Sequence, residues 1–478
     1  LNTILSKKIV SVPLLVLLAF ALAWLVSVGN IPAILGLVSF PFIVYVIYLL
    51  FHKPESGLIL VLVLGFSING FARYISLQYS IFIDGVIIMA CIAAFFHSGY
   101  SDYQRLASVT VGALLFWTFY TIMEIFNPES IGILPWFYAV RSVSFYVLVV
   151  AALTILVFKT KKHLQIFLII WFVFGILSAL YGMKQVFIGL NSVEKAWLAN
   201  GAAKTHLLFG KLRVFSFYSD AGQFGAFMSF TSLVAFIMAV RAESFKLKCF
   251  YLITGVLSGY GMLISGTRGA LFVYIGAMVY LLLDKNFKTF IIGLFILGSI
   301  FFLLRFTYLG ASNYNIQRMR SAVKPKDDAS FQVRVENQRK FSEYLKDKPF
   351  GGGIGTSGYW GQRFHPKSFL AQTPTDSWYV RIWAETGQVG LILYLLTLAG
   401  ILIHGFVLIL NLKDVYLKQK LSAIYAGCFG VLIANYGNQV IGQFPTIVVF
   451  SMGIGIVCLG KLYDNESQVE PNRESISL

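Results

Sequence analysis

The chemically most capable residues of this 478-residue chain are arginines and carboxylates placed at the edges of apolar stretches. Arg213 precedes Phe215-Ser216-Phe217-Tyr218-Ser219-Asp220-Ala221-Gly222-Gln223-Phe224-Gly225, and Arg268 sits in Ser265-Gly266-Thr267-Arg268-Gly269-Ala270 between two apolar segments. A third group, Thr375-Asp376-Ser377-Trp378-Tyr379, leads into Arg381-Ile382-Trp383-Ala384-Glu385-Thr386-Gly387. An arginine among lipid-soluble residues must snorkel, pair or line a polar cavity, because an uncompensated charge in hydrocarbon is costly. A guanidinium suits a diphosphate: its planar fork donates two parallel hydrogen bonds to phosphoryl oxygens and keeps its charge. A carboxylate takes a proton from an incoming hydroxyl if its surroundings raise its pKa toward neutrality. Arginines around a leaving diphosphate, with one carboxylate near the acceptor, would suffice for glycosyl transfer without a metal or other cofactor. Asp376 is the candidate base and Arg268 the second catalytic candidate, with Arg213 and Arg381 as further diphosphate ligands and Asp220 in support. Two plainer roles stay open. Arg381 and Glu385, four apart on one helical face, can form a structural pair, and Asp376 can simply cap the helix.

Between these groups, residues 305–383 carry an excess of base, including Arg305, Arg318, Arg320, Arg334, Arg339, Lys340 and Arg363. Either this is a solvated surface beside anionic lipid, or it holds an anionic substrate at the membrane surface, with Arg334 and Arg339 as candidate ligands. Ser330 can cap a helix from Phe331, and Phe331, Val335, Gln338, Phe341 and Leu345 recur at near-helical spacing until Pro349 ends it. The run Phe350-Gly351-Gly352-Gly353-Ile354-Gly355-Thr356-Ser357-Gly358 is too rich in glycine for a regular element. Gly353 and Gly355 could let backbone amides approach an anion, or the run could be a flexible linker. It lacks the Gly-Lys-Ser/Thr ending of a nucleotide-binding loop. His365 reaches the Asp376 region only by a loop excursion.

The elements that must position these groups are membrane spans. Hydrophobic residues make up 58% of the chain, charged residues only 12%, and Phe alone occurs 44 times, a composition that a bilayer solvates and a soluble core cannot hide. Windows of about 17–25 apolar residues predict fourteen helical spans near 9–28, 31–51, 57–72, 78–96, 105–124, 139–158, 164–182, 217–240, 247–265, 268–283, 287–304, 384–410, 421–441 and 444–461. Helices are required because an open sheet edge in lipid leaves amides and carbonyls unpaired. With that count, Lys7 and Lys8, His52 and Lys53, Arg105, Lys159 with Lys161 and Lys162, Arg241 with Lys246 and Lys248, Lys285 with Lys288, and Lys413 with Lys418 and Lys420 all fall on one face. By the positive-inside rule that face is cytoplasmic, both termini with it. The long segments 183–216 and 305–383 then lie outside. The first span lacks a small-x-small cleavage site and reads as an uncleaved helix. Cys91, Cys249, Cys428 and Cys458 sit in or beside spans, so neither a disulfide scaffold nor a Cys/His metal spacing is expected.

In order and spacing these motifs resemble the bacterial O-antigen ligase and polymerase superfamily. The resemblance rests on Arg213 with Ser219 to Gly225, on Ser265 to Ala270, on Pro349 to Gly355, and on Asp376-Ser377-Trp378-Tyr379 followed by Ala384-Glu385-Thr386-Gly387 and Gly390. It implies a metal-independent glycosyltransferase of the GT-C kind, an all-α polytopic protein of about fourteen spans with a large extracytoplasmic loop containing short helices. The implied donor is an undecaprenyl-diphosphate-linked glycan, with Arg213 and Arg268 gripping the diphosphate. The acceptor is another glycan, lipid A–core or protein. Membrane lipids and a chain-length regulator are further expected partners, and nucleic acid is not. Family ligases commonly carry His-Asn where this chain, in register with Gly387, has Asp376-Ser377. That substitution favours a polymerase over a ligase. The expected organisation is 1–212 for N-terminal spans and the first external loop, 213–304 for the arginine-bearing spans, 305–383 for the large periplasmic loop, 384–461 for the C-terminal spans and 462–478 for a cytoplasmic tail, in a bacterial inner membrane.

Overall fold

The computed structural model describes residues 41, 44–75, 80–208, 210–284, 286–310, 312–323 and 329–466. The first predicted span, most of the second, Lys7, Lys8, Lys285, Lys324, Lys326, the capping side chain of Ser330 and the tail beyond 466 lie outside the described residues.

Apolar segments fold as helices because only intrasegment hydrogen bonding satisfies the backbone in lipid. Among the described residues eight helices are long and apolar enough to cross a bilayer, from Pro54–Phe71 to Trp378–Leu410. A ninth is added if the bent pair Thr446–Cys458 and Gly460–Glu466, meeting at 56°, is one span. The chain is therefore an all-α polytopic membrane protein, apart from a two-residue hairpin pairing Leu207–Leu208 with Lys211–Leu212. The remaining predicted spans with described residues are shorter, broken or more polar helices, such as Ile81–His97 and Val415–Ala434.

The Ala221–Val240 helix forms the centre, with 89% of its membrane window buried. Its small residues let neighbours close in: Ser232 Oγ donates to the Gly255 carbonyl at 2.8 Å. This helix joins two chemically different ends. At its C-terminal end, Arg241 pairs with Asp284 at 2.9 Å, Lys420 with Glu243 at 2.6 Å, Lys161 with Asp414 at 2.9 Å, and both Lys159 and Arg105 with Asp102. The basic turns thus gather at one end, laced by carboxylates. At its N-terminal end stand Arg213 and Arg318, which have no carboxylate within ion-pair distance among the described residues.

Two predicted spans are reshaped. The stretch expected as a helix over 268–283 is a 3-10 segment, Arg268–Ile275, followed by the helix Gly276–Asp284. Gly266, at φ 60°, ends the preceding helix in the left-handed conformation and turns the chain. The segment then lies backbone against backbone on Val415–Ala434: a β-carbon at Gly276 would sit 2.1 Å from the Ala426 carbonyl, and one at Gly430 would sit 2.1 Å from that of Val273. The span predicted over 421–441 also stops early. The helix ends at Ala434, and an irregular turn follows in which Asn435 Oδ1 accepts the amides of Val440 and Ile441, each at 3.1 Å.

In the large loop, the helix Ala329–Tyr344 buries Phe341, which with Leu345 packs on Leu370, Val380 and Ala384. Val335, expected on the inner stripe, is 47% exposed, and Arg334 and Asn337 turn inward instead. The glycine run is buried under a kink in the Trp378–Leu410 helix at Gly387, where φ is 68° and ψ −168°. The amides of Gly352 and Gly353 donate to the carbonyls of Ala384 and Glu385 at 2.9 and 2.8 Å, and that of Val389 to Pro349 at 3.2 Å.

Candidate functional site

Four arginines from four segments meet at the N-terminal end of the central helix. Arg213 is held by Nη1 on the Thr205 carbonyl and Nη2 on Thr267 Oγ1, both at 3.1 Å, with its Nε buried and bonded to no described atom. Arg318, on the Tyr314–Ala322 helix, donates Nε to the Gly266 carbonyl at 2.8 Å and Nη1 to Tyr314 Oη at 3.1 Å. A β-carbon at Gly266 would touch Arg318 Nε at 3.3 Å and Arg213 Cγ at 3.9 Å, so the two guanidinium stems flank one glycine. Arg268 Nη1 donates to Ser321 Oγ at 3.1 Å. Arg334 approaches from the loop helix, its Nη1 3.8 Å from where a β-carbon of Gly437 would lie. Gly437 in turn would touch the Gly269 Cα at 3.4 Å, next to Arg268.

Arg213 feels this crowding. Burial pushes its pKa down to about 10, Arg318 and then Arg268 add to the fall, and Asp220 and Tyr314 oppose it. The group stays cationic at neutral pH, where a buried charge calls for a counter-ion. Among the described residues, Arg213, Arg318 and Arg334 have no carboxylate within ion-pair distance. Asp220 is already committed: it caps the central helix, accepting the amides of Gly222 and Gln223 at 2.7 and 3.0 Å, and takes a bond from Ser219. His206 supports the same helix start. Its Nε2 accepts the Ala221 amide at 3.3 Å while Nδ1 lies 2.9 Å from the Ala202 carbonyl, and burial holds its pKa below the ordinary value.

The turn 435–445 joins this cluster to Asp376. Gln443 Oε1 accepts from Ser219 Oγ at 2.6 Å beside Asp220, and Gln439 Nε2 donates to Thr375 Oγ1 at 2.5 Å beside Asp376. The Asn435 carbonyl accepts from Ser377 Oγ at 3.2 Å and from the Trp378 amide at 3.0 Å. From the other side, Asn337, one turn beyond Arg334, donates to the Pro374 carbonyl at 3.3 Å. Thr375 and Ser377 are thereby pinned inward, and Asp376 between them projects outward with φ 51°. A left-handed conformation is uncommon for a residue with a side chain, although Asp tolerates it.

The other predicted site residues sit elsewhere. Arg381 Nε donates to Glu385 Oε1 at 3.2 Å and its guanidinium lies over Trp378. Glu385 is buried and also accepts from Ser357 Oγ at 2.6 Å. Arg339 is on the solvent side, 68% exposed and paired with Glu336. Gly353 and Gly355 pack against Ser130 and the Pro135 carbonyl, and exposed His365 follows a short helix, Gly358–Phe364. Residues that the sequence reading passed over include Arg318 as part of a cluster, the carboxamides of 435–443, and Arg73. The last is clasped between Trp197 and Phe215 and donates to the carbonyls of Ser216 and Tyr218, fastening the segment that precedes the central helix.

Fold and site together define a multi-span membrane protein with a cluster of arginines gathered at one end of its central helix. Residues 253–395, a stretch that runs from before Arg268 through the basic loop to beyond Asp376 and Glu385, match the family described as O-antigen ligase. No curated protein matches the chain. Arg213, Asp220 and the turn 435–445 lie beyond the matched residues.

Proposed function

We propose that the protein is a glycosyltransferase of the GT-C kind that moves an undecaprenyl-diphosphate-linked glycan to an acceptor at the outer face of a bacterial inner membrane. The observation that carries this reading is the convergence of Arg213, Arg268, Arg318 and Arg334 on the ground around Gly266 and Gly269. The ion-paired basic turns then face the cytoplasm, with both termini, and the arginine end faces outward. Nucleotide sugars are not supplied on that side, so a lipid diphosphate is the donor.

In the transfer, the acceptor oxygen bonds to the anomeric carbon, the bond from that carbon to the diphosphate oxygen breaks, and the acceptor proton passes to Asp376. Charge grows on the departing diphosphate, and guanidinium groups fixed in advance stabilise it without reorganising. Their charges supply the neutralisation that a metal provides in other transferases. Description of the matched family as O-antigen ligase supports a ligase acting on lipid A–core or protein. A polymerase is the second reading, favoured by Asp376-Ser377 where family ligases commonly carry His-Asn. Gel analysis of surface polysaccharide from a deletion strain separates the two. Loss of a ligase leaves no attached glycan, and loss of a polymerase leaves a single attached repeat. Attached chains of unchanged length would overturn both.

A further inference from the structure

The carboxamide of Asn438 occupies a place that packing alone does not explain. It lies across the gap between Gly222, in the first turn of the central helix, and Gly269, next to Arg268. A β-carbon at Gly269 would stand 2.3 Å from its Nδ2, and one at Gly222 would stand 3.5 Å from its Oδ1. Gly269 must lack a side chain for the amide to fit, whereas a β-carbon at Gly222 would make only ordinary contact with it. Having been given this room, it is bonded to nothing: Nδ2 is buried with no acceptor among the described residues, and only the backbone amide of Asn438 is engaged, on Ala434. Its companions in the turn are spent on tethering, Gln439 toward Asp376 and Gln443 toward Asp220. A buried amide without a partner costs stability, and such a group persists where it serves another purpose.

We infer that Asn438 binds the sugar that is attached directly to the lipid diphosphate, through a ring hydroxyl or an amide substituent. The inference rests on the glycan-transfer reading above. Position and chemistry both point this way. Asn438 stands between the arginines, which hold the phosphates, and Asp376, which meets the acceptor, and the first sugar must lie between those two points. Phosphate oxygens only accept hydrogen bonds, and the guanidinium groups already supply donors to them. A sugar hydroxyl both donates and accepts, as a carboxamide does, so the neutral amide complements the sugar rather than the anion.

The test is equilibrium binding of two lipids to the purified full chain: undecaprenyl diphosphate alone, and the same lipid carrying the glycan. Wild type should prefer the glycan-bearing lipid. In Asn438→Ala that preference should shrink by about tenfold, the scale of one buried hydrogen bond, with affinity for undecaprenyl diphosphate unchanged. The melting temperature should hold or rise, since the truncated side chain bonds to nothing in the free protein. Asn438→Ser, which keeps a donor and acceptor, should retain part of the preference. Equal losses for both lipids, or an unchanged preference, would overturn the inference. Because the readout is binding, a wild-type protein that binds both lipids but transfers nothing would refute the transfer reading separately.

Discussion

Arg318→Ala isolates the contribution of one cationic group to the cluster. In the free protein Arg318 makes two hydrogen bonds, Nε to the Gly266 carbonyl at 2.8 Å and Nη1 to Tyr314 Oη at 3.1 Å. Each is worth about 1 kcal/mol at a partly solvated site. Against that loss stands relief of like-charge repulsion on Arg213, for which Arg318 is the largest cause of a lowered pKa after burial. The two terms oppose, so the variant should melt within about 2 kcal/mol of wild type. With the departing diphosphate bound, the balance differs. A charge-assisted bond to a phosphoryl oxygen contributes about 1.5–3 kcal/mol, and one such bond made in the transition state corresponds to a fall in kcat/KM of about 10- to 150-fold. Arg318→Lys keeps the charge but not the fork, and should fall between. The assay is turnover of a defined undecaprenyl-diphosphate-linked repeat by purified protein, paired with thermal unfolding. Wild-type kcat/KM in a folded Arg318→Ala protein would remove Arg318 from the site. A collapse in stability would instead make it a brace for Gly266.

Arg268→Ala should abolish transfer at near-normal abundance in the membrane, and unimpaired turnover would take Arg268 out of the diphosphate role. For Asp376→Asn the expected outcome is a large loss of kcat with donor binding retained. Wild-type turnover would redirect attention to His365, Glu385 or a group on the substrate itself. Gly387→Ala perturbs the scaffold instead of the chemistry. Its φ of 68° and ψ of −168° suit glycine alone, and a β-carbon would lie 2.0 Å from the Pro349 carbonyl. Backbone strain and the loss of three loop-to-helix hydrogen bonds should exceed about 3 kcal/mol and expose the 349–358 run to protease. Protection equal to wild type would mean that the kink does not hold the loop.

Much of the fold was legible because lipid imposes a length on apolar segments, and that length survives any detail of packing. Where local chemistry competes with hydropathy, the reading failed. Averaging over Val431, Leu432, Val440 and Ile441 carried the predicted span at 421–441 through three carboxamides, Asn435, Asn438 and Gln439, that in fact end a helix and build a turn. The stretch after Arg268 is apolar enough to be a span, but Gly276 and Gly430 draw its backbone onto a neighbouring helix and tighten it to 3-10 form. Periodicity found the loop helix but put Val335 inside, because positions 334 and 337 share the inner stripe with 331, 341 and 345 nearly as well as 335 and 338 do. The glycine run was correctly seen as irregular, yet nothing local says that its amides are consumed by a kink more than thirty residues later.

The site shows the same limit at longer range. Arg213 and Arg268 stood out singly, because a charge amid apolar residues needs a reason wherever it falls. What makes them a site is their company, and that company is remote: Arg213 meets Thr267 across 54 residues, and Ser219 meets Gln443 across 224. Gly222 and Gly269 illustrate the point most directly. Each looks like ordinary punctuation beside a charged residue, a cap in one case and a turn in the other. The cap itself accounts for Gly222, where a β-carbon would stand 2.8 Å from Asp220 Oδ1, but only the arrival of Asn438 from the far end of the chain explains why Gly269 has no room for one. Spacing within a motif reports on the local backbone, whereas the reason for its smallest residues can lie in a segment that shares no local pattern with it.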